Sequence, residues 1–288
     1  MMINHVDKRV VITGAASGIG KALAEYLAAQ GARLVLSDID AGRVKALAAG
    51  LNGAIALRCD VSNHASVEAL AEAAQTELGG IDLVFANAGT ILNGPLVKST
   101  PEEFDWLMGV NLRGAWSSMT VFARALLAQD EGGKICVTAS EHSLGLQHSG
   151  AGIYTASKQA VLAMAEVLRT ELPRKVGISV FCPGLVSTGL ADAVRPPHLR
   201  QPKDHQRELS RAVQAQGMSA TEAAEAAIAG TFRGDFLIVT HPNSFAAAQI
   251  RHAEIEAAFA AQAPAGDDTG RYDVNRIVAE LMSKPQGS

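Results

Sequence analysis

The sequence predicts a doubly wound α/β fold: one open sheet of seven parallel strands with helices on both faces. Three observations point there. Short β-branched runs alternate with longer helix-like runs through most of the 288 residues, the pattern of strands joined by helical crossovers. Most strand-like runs are apolar throughout rather than at every second position, as expected where both faces of a sheet are covered. A glycine-rich turn joins the first run to the first helix, at the edge where such sheets open to ligands.

Taken in order, the strand-like runs are RVVITG (9–14), RLVLSD (33–38), AIALRCD (54–60), DLVFANAG (82–89), KICVTAS (134–140), GISVFCPG (177–184) and DFLIVTH (235–241). Helix-like stretches lie between them: GKALAEYLAAQG, SVEALAEAAQTELG and KQAVLAMAEVLRTELP. Around the first, Ile19, Leu23 and Leu27 recur at the i, i+4, i+8 spacing of a buried stripe. Thr100, Pro101 and Glu103 mark a helix start, with a capping hydroxyl, a proline at the first position and a glutamate at the third. Residues 185–219, with three prolines and weak periodicity, interrupt the rhythm and are expected to form a lobe over the substrate. A Gly/Asp-rich joint, PAGDDTG, then leads to the short amphipathic DVNRIVAELM. The expected organisation is one domain over 1–262 followed by a tail over 263–288.

Hydrophobic residues make up 48% of the chain and charged residues 19%, ample for a core. The net charge of −4 gives no reason to expect nucleic acid or an anionic membrane as partner. The opening residues carry no apolar stretch of signal-peptide length, and no segment approaches the ~18 uninterrupted apolar residues of a membrane span. A soluble, cytoplasmic protein is expected. Cys59, Cys136 and Cys182 all lie in or at the ends of strand-like runs and are expected to be buried free thiols.

The turn TGAASGIG (13–20) offers Gly14, Ser17, Gly18, Ile19 and Gly20 as a phosphate-binding loop. Glycines there let backbone approach a pyrophosphate, and the helix behind presents unpaired N–H groups and the positive end of its dipole. Asp38 ends the second strand; a carboxylate at that place accepts both adenosine ribose hydroxyls and repels a 2′-phosphate. With Ile39 rather than a basic residue following it, NAD is expected over NADP. Arg43 reads as a solvated helix residue. Asp60 has two readings, a helix cap or a contact to adenine, and both stay open.

Together these residues resemble the classical short-chain dehydrogenase/reductase family, over roughly residues 6–245. The resemblance rests on TGAASGIG, Asp60-Val61, Asn87-Ala88-Gly89, Asn111 in GVNLRG, Tyr154 to Lys158 in YTASK, and PGLVST (183–188), in that order. It implies a Rossmann-type fold and an NAD-dependent oxidoreductase interconverting a secondary alcohol and a ketone. Tyr154 would be the general acid/base, its phenol lowered from about 10 by the Lys158 ammonium and the positive nicotinamide ring. Lys158 would also hold the nicotinamide ribose. Asn111, at a helix distortion, would hold a water linking Lys158 to solvent. Asn87, Ala88 and Gly89 would let the cofactor lie against backbone, and Pro183, Gly184, Val186 and Thr188 would grip the carboxamide side of the nicotinamide. Cys182 reads as packing.

The catalytic serine has two candidates. Ser140, at the strand end, stands fourteen positions before Tyr154, one more than is usual in that family; Ser143 lies in the loop beyond. Strand ends are rigid, which favours Ser140, whereas Ser149 is too near the helix start. Its role would be to hydrogen-bond the substrate oxygen. Glu141, His142 and His148 show no metal-ligand spacing, and no metal is expected; the histidines read as cavity rim, and the remaining histidines as scattered. The substrate would be a moderately apolar alcohol or ketone, aromatic or alicyclic, bounded by residues 91–95, 144–152 and the lobe. The resemblance also implies a homodimer or homotetramer paired through the helices after Pro101 and around Tyr154. Two rivals share the fold: a lyase or epimerase, and a non-catalytic nucleotide sensor.

Overall fold

In the computed structural model, residues 5–190, 193–263, 266 and 270–283 are described. All seven runs form strands: β1 (Arg9–Thr13), β2 (Arg33–Asp38), β3 (Ile55–Arg58), β4 (Leu83–Ala86), β5 (Gly133–Thr138), β6 (Val176–Cys182) and β9 (Leu237–Val239). They pair in the order β3-β2-β1-β4-β5-β6-β9, every pairing parallel. The order reverses between β1 and β4, and a crevice opens at that point beyond the carboxyl ends of the strands.

Both faces of the sheet are apolar because alternate residues of each strand serve opposite layers. Val10 and Ile12 pack with Leu23 and Leu27 of α1 (Gly18–Ala29), Val44 of α2 (Ala41–Ala49) and Ala223 and Ile228 of α8 (Ala220–Arg233). Val11 and Val84 pack instead with Leu70 of α3 (His64–Leu78), Phe122 of α5 (Gly114–Leu127) and Val161 of α6 (Gly152–Glu171). Cys59, Cys136 and Cys182 are free and buried in these layers. Helix starts follow the expected chemistry: at α4 (Pro101–Met108), Thr100 and Glu103 form a reciprocal capping box.

Between α4 and α5 the helix widens into a π-turn over Gly109–Arg113, with Asn111 inside it. Sequence periodicity does not announce that turn. The lobe contains a small parallel pair, β7 (Val186–Ser187) with β8 (Met218–Ser219), and α7 (Asp204–Gln214); residues 191–192 lie outside the described residues. The buried Glu103 ion-pairs with Arg200 of the lobe at 3.0 Å, tying the lobe to the start of α4.

The chain divides into two compact units, residues 1–247 and 248–288. The sequence places its boundary later, at 262. The division falls within α9 (Ser244–Gln262), in which only Ser244 is buried, so little core holds the rest of that helix. The second unit comprises the remainder of α9 and α10 (Val274–Met282), which Asp273 caps through the Arg276 N–H at 2.8 Å. Most of the PAGDDTG joint and residues 284–288 lie outside the described residues. Among the described residues no helix is long and apolar enough to cross a membrane.

Candidate active site

The glycine loop is shaped by contacts that exclude side chains. Gly14 has φ +65°, and a Cβ there would lie 2.7 Å from the Ala88 Cα. Gly18 has φ +52° and faces Thr188, while a Cβ at Gly20 would collide with the Gly14 carbonyl. Ser17 is the N-cap of α1, yet no side chain caps that terminus. Its first N–H groups therefore point into the crevice with the positive end of the helix dipole. Ile19 packs partly against the layer below. Thr13 ties the loop to the end of β4, its hydroxyl accepting from the Asn87 and Ala88 N–H groups at 3.1 and 3.2 Å. The Asn87 amide donates back to the Thr13 and Gly14 carbonyls.

Asp38 is half-buried at the end of β2. One carboxylate oxygen accepts from the Ala16 N–H and the other from the Asp40 N–H, both at 3.0 Å, so it faces the loop with lone pairs to spare. Arg43 is exposed. Asp60 accepts from the Ser62 N–H and hydroxyl in the turn before α3, whose cap is Asn63. The turn-building half of its two readings thus describes its contacts in this structure. Val61, beside it, is buried against Gly114.

The structure brings Ser140, Tyr154, Lys158 and Asn111 to the carboxyl end of β5. That strand ends at Thr138, two residues before the expected Ser140, which instead begins a short 3₁₀ turn over Glu141–Ser143. Ser140 is buried, and its hydroxyl accepts from the His142 N–H at 3.3 Å. Ser143 is spent elsewhere: its hydroxyl donates to the Lys158 carbonyl at 2.7 Å. Lys158 is buried, its ammonium donates to the Thr138 carbonyl at 2.9 Å, and burial pulls it down to about 8, with the nearby Cys182 sulfur opposing.

Tyr154 stands one helical turn before Lys158, whose Nζ lies 5.9 Å from the phenol ring centroid. Burial pushes the phenol up, the Ser140 hydrogen bond acts against that, and the Glu141 charge adds to it. The expected lowering relied on two cations; the chain itself supplies one, and burial outweighs it. Asn111 is buried, but not as a water-holding side chain. Its Oδ1 accepts from the Thr90 N–H at 2.8 Å, and its Nδ2 donates to the Thr90 carbonyl and the Ser157 hydroxyl. The amide is thus saturated, and the widened turn leaves backbone carbonyls as the groups free to hold a water. Gly89 lies where a Cβ would stand 3.5 Å from both Asn111 Oδ1 and Lys158 Nζ.

His142 is buried, bonded through Nδ1 to the Thr155 hydroxyl at 2.7 Å and edge-on to the Tyr154 ring. Burial, then His148, lowers it to about 4, so it stays neutral near pH 7. His148 is exposed on the loop. The segments expected to bound the substrate do meet: the Gly94 N–H donates to the Gly150 carbonyl at 2.7 Å, and Arg200 of the lobe covers Gly94.

Pro183 and Gly184 follow β6, Val186 is buried in β7, and the Thr188 hydroxyl accepts from the Leu190 N–H. Burial raises the Cys182 thiol to about 12, leaving it protonated. Two residues that sequence spacing leaves isolated reach this turn. The Glu141 N–H donates to the Pro183 carbonyl at 2.9 Å, and His241, past the end of β9, bonds Gly184 and Leu185. Nothing in one sequence joins positions so far apart; only the β5-β6-β9 adjacency does.

A doubly wound sheet with an uncapped glycine loop at its switch point defines a nucleotide-binding protein of the Rossmann type. The comparisons make this specific: the model of the short chain dehydrogenase family matches residues 8–198. The chain belongs to that family, whose members are oxidoreductases binding a nicotinamide cofactor. A short-chain dehydrogenase/reductase of Burkholderia phymatum, solved in complex with NAD, is 40% identical with a TM-score of 0.83, covering 89% of this chain and 96% of that one. A probable oxidoreductase of Mycobacterium tuberculosis, EphD, is 36% identical over 189 residues, 64% of this chain but 32% of that protein. This chain thus spans about a third of that relative's length. Galactitol 2-dehydrogenase of Agrobacterium fabrum is 32% identical over 183 residues, 62% of this chain and 71% of that enzyme.

Proposed function

We propose that the protein is an NAD-dependent dehydrogenase interconverting a secondary alcohol and a ketone, with Tyr154 as general acid/base. The observation that carries the proposal is the convergence of Ser140, Tyr154 and the buried Lys158 at the end of β5, beside the open glycine loop. Names among the relatives support the reaction class, galactitol 2-dehydrogenase in particular, and the Burkholderia complex supports NAD. The residues present fit that cofactor. The α1 terminus is uncapped, Gly14 and Gly18 hold conformations that bring backbone N–H groups to the crevice, and Asp38 offers a carboxylate to ribose hydroxyls. Asp60, Val61, Asn87, Ala88 and Gly89 would flank the adenine and ribose, and Pro183, Gly184, Val186 and Thr188 the nicotinamide.

When bound, the nicotinamide supplies the acceptor or donor of a hydride. The chain does the rest. Ser140 Oγ donates a hydrogen bond to the substrate oxygen and holds it as charge changes there. Tyr154 Oη takes the alcohol proton during oxidation and returns it during reduction. The Lys158 ammonium stabilises the phenolate and holds ribose hydroxyls, and backbone carbonyls in the π-turn pass the proton outward through water. The phenol, raised in the protein alone, needs the added positive charge of the oxidised cofactor to reach the working range. Leu96 and Val97, exposed on the loop bordering the site, support a moderately apolar substrate. Exposed Phe104, Trp116 and Val167 on α4, α5 and α6 support pairing of copies through that face.

The test is reduction of NAD⁺ followed by absorbance across a panel of secondary alcohols. Turnover is expected, and Tyr154→Phe should lose about a thousandfold in kcat. No turnover with any alcohol, or equal rates for wild type and variant, overturns the proposal.

A further inference from the structure

We infer that His241 is a positioning residue for nicotinamide binding, a clamp that fixes the Pro183–Gly184–Leu185 turn before cofactor arrives. The inference rests on the reading above that this turn receives the nicotinamide end. The Gly184 N–H donates to His241 Nδ1 at 3.1 Å, and the Thr240 hydroxyl lies 2.8 Å from the same nitrogen. His241 Nε2 lies 2.9 Å from the Leu185 carbonyl. A carbonyl can only accept and a backbone N–H can only donate. One assignment therefore satisfies every contact: a neutral ring protonated at Nε2, donating to Leu185, with Nδ1 accepting from Gly184 and Thr240.

The two bonds fall on consecutive residues of the turn, and neighbours take the remaining groups. The Glu141 N–H holds the Pro183 carbonyl, and the Met218 N–H reaches the Leu185 carbonyl at 3.0 Å. The Glu141 carboxylate accepts from the Ser244 hydroxyl and packs against Gly184 from the other side. A Cβ at Gly184 would lie 2.5 Å from the His241 ring and 2.7 Å from the Glu141 carboxylate, so residue 184 must be glycine for both walls to close. The turn thus stands between an imidazole from the end of β9 and a carboxylate from the residue following Ser140. Its backbone is held by four protein bonds before any ligand contributes. Order supplied in advance need not be supplied by binding energy.

The experiment compares wild type with His241→Ala, which removes both bonds, His241→Asn, which keeps an oxygen near Nδ1, and His241→Gln, which keeps an N–H near Nε2. Dissociation constants are measured calorimetrically for NAD⁺ and for ADP-ribose, which shares every group except nicotinamide. His241→Ala should weaken NAD⁺ by on the order of tenfold, as for a lost buried hydrogen bond, and change ADP-ribose by less than about twofold. His241→Asn should recover most of the NAD⁺ affinity. Should the alanine variant fail to fold, tighter NAD⁺ binding by the asparagine than by the glutamine variant, with equal ADP-ribose binding, is the supporting result. Equal loss for both ligands means general damage and overturns the inference, as does unchanged NAD⁺ affinity. Failure of the wild type to bind either ligand overturns the functional reading itself, and the clamp with it.

Discussion

Replacing Lys158 by methionine should make the protein more stable while abolishing its activity. The ammonium is buried, and its pKa falls from 10.5 to about 8. At about 1.4 kcal/mol per pH unit, carrying that charge costs the folded state about 3 kcal/mol at pH 7. Methionine fills a similar volume without charge but abandons the Thr138 carbonyl, which returns about 1 kcal/mol. The net gain is about 2 kcal/mol, or roughly 4 °C in Tm for a chain of this size. Between pH 8 and 10.5 the folded lysine holds fewer protons than the unfolded one, so its penalty shrinks as pH rises through that window and is level below it. Urea denaturation of both proteins from pH 6 to 10.5 gives the difference directly, other titrating groups cancelling. The advantage of Lys158→Met should be largest below pH 8 and fade toward pH 10.5. A variant less stable at pH 7, or an advantage independent of pH, would refute the reasoning.

Other changes separate the remaining roles. Ser140→Ala should lower kcat about a hundredfold, whereas Ser143→Ala, which loses only the bond to the Lys158 carbonyl, should cost about 1 kcal/mol in urea denaturation and little kcat; the reverse pattern would exchange their roles. Asp38→Ala should weaken NAD⁺ by at least tenfold in calorimetry and narrow or reverse discrimination against NADP⁺; wild type preferring NADP⁺ would contradict the carboxylate reading. Gly14→Ala should cost about 3 kcal/mol, since its φ of +65° and the nearby Ala88 backbone both oppose a side chain. A urea midpoint within experimental error of wild type would show that the loop can relax.

The strands were legible because each is an apolar run bounded by turn residues, and parallel pairing follows from their alternation with helices. The capping box at Thr100 was legible for the same reason, being a local pattern. What escaped the sequence is non-local or depends on a single hydrogen-bond shift. The β7-β8 pair spans two residues on each side, too short for any periodicity. The wide turn at Asn111 differs from ordinary helix only in which carbonyls are bonded. Tyr154 and Lys158 lie within one helical turn, whereas His241 and Gly184 are 57 positions apart. Ser140 and Ser143 could be ranked from strand rigidity, but only the Ser143 bond to the Lys158 carbonyl gives the loop serine a different occupation.

The wide turn at Gly109–Arg113 also sets the angular phase of everything after it. A π-turn holds one residue more than regular helix requires, and each residue advances the helix by about 100°. Deleting one residue there would make the helix locally more regular and swing its downstream half by that angle. Met119, Phe122 and Leu126, now in the core, would leave their places against the sheet. The irregular segment therefore acts as a spacer: the residue that helical geometry counts as surplus keeps the active-site half and the core half of one long helix each facing its own partners.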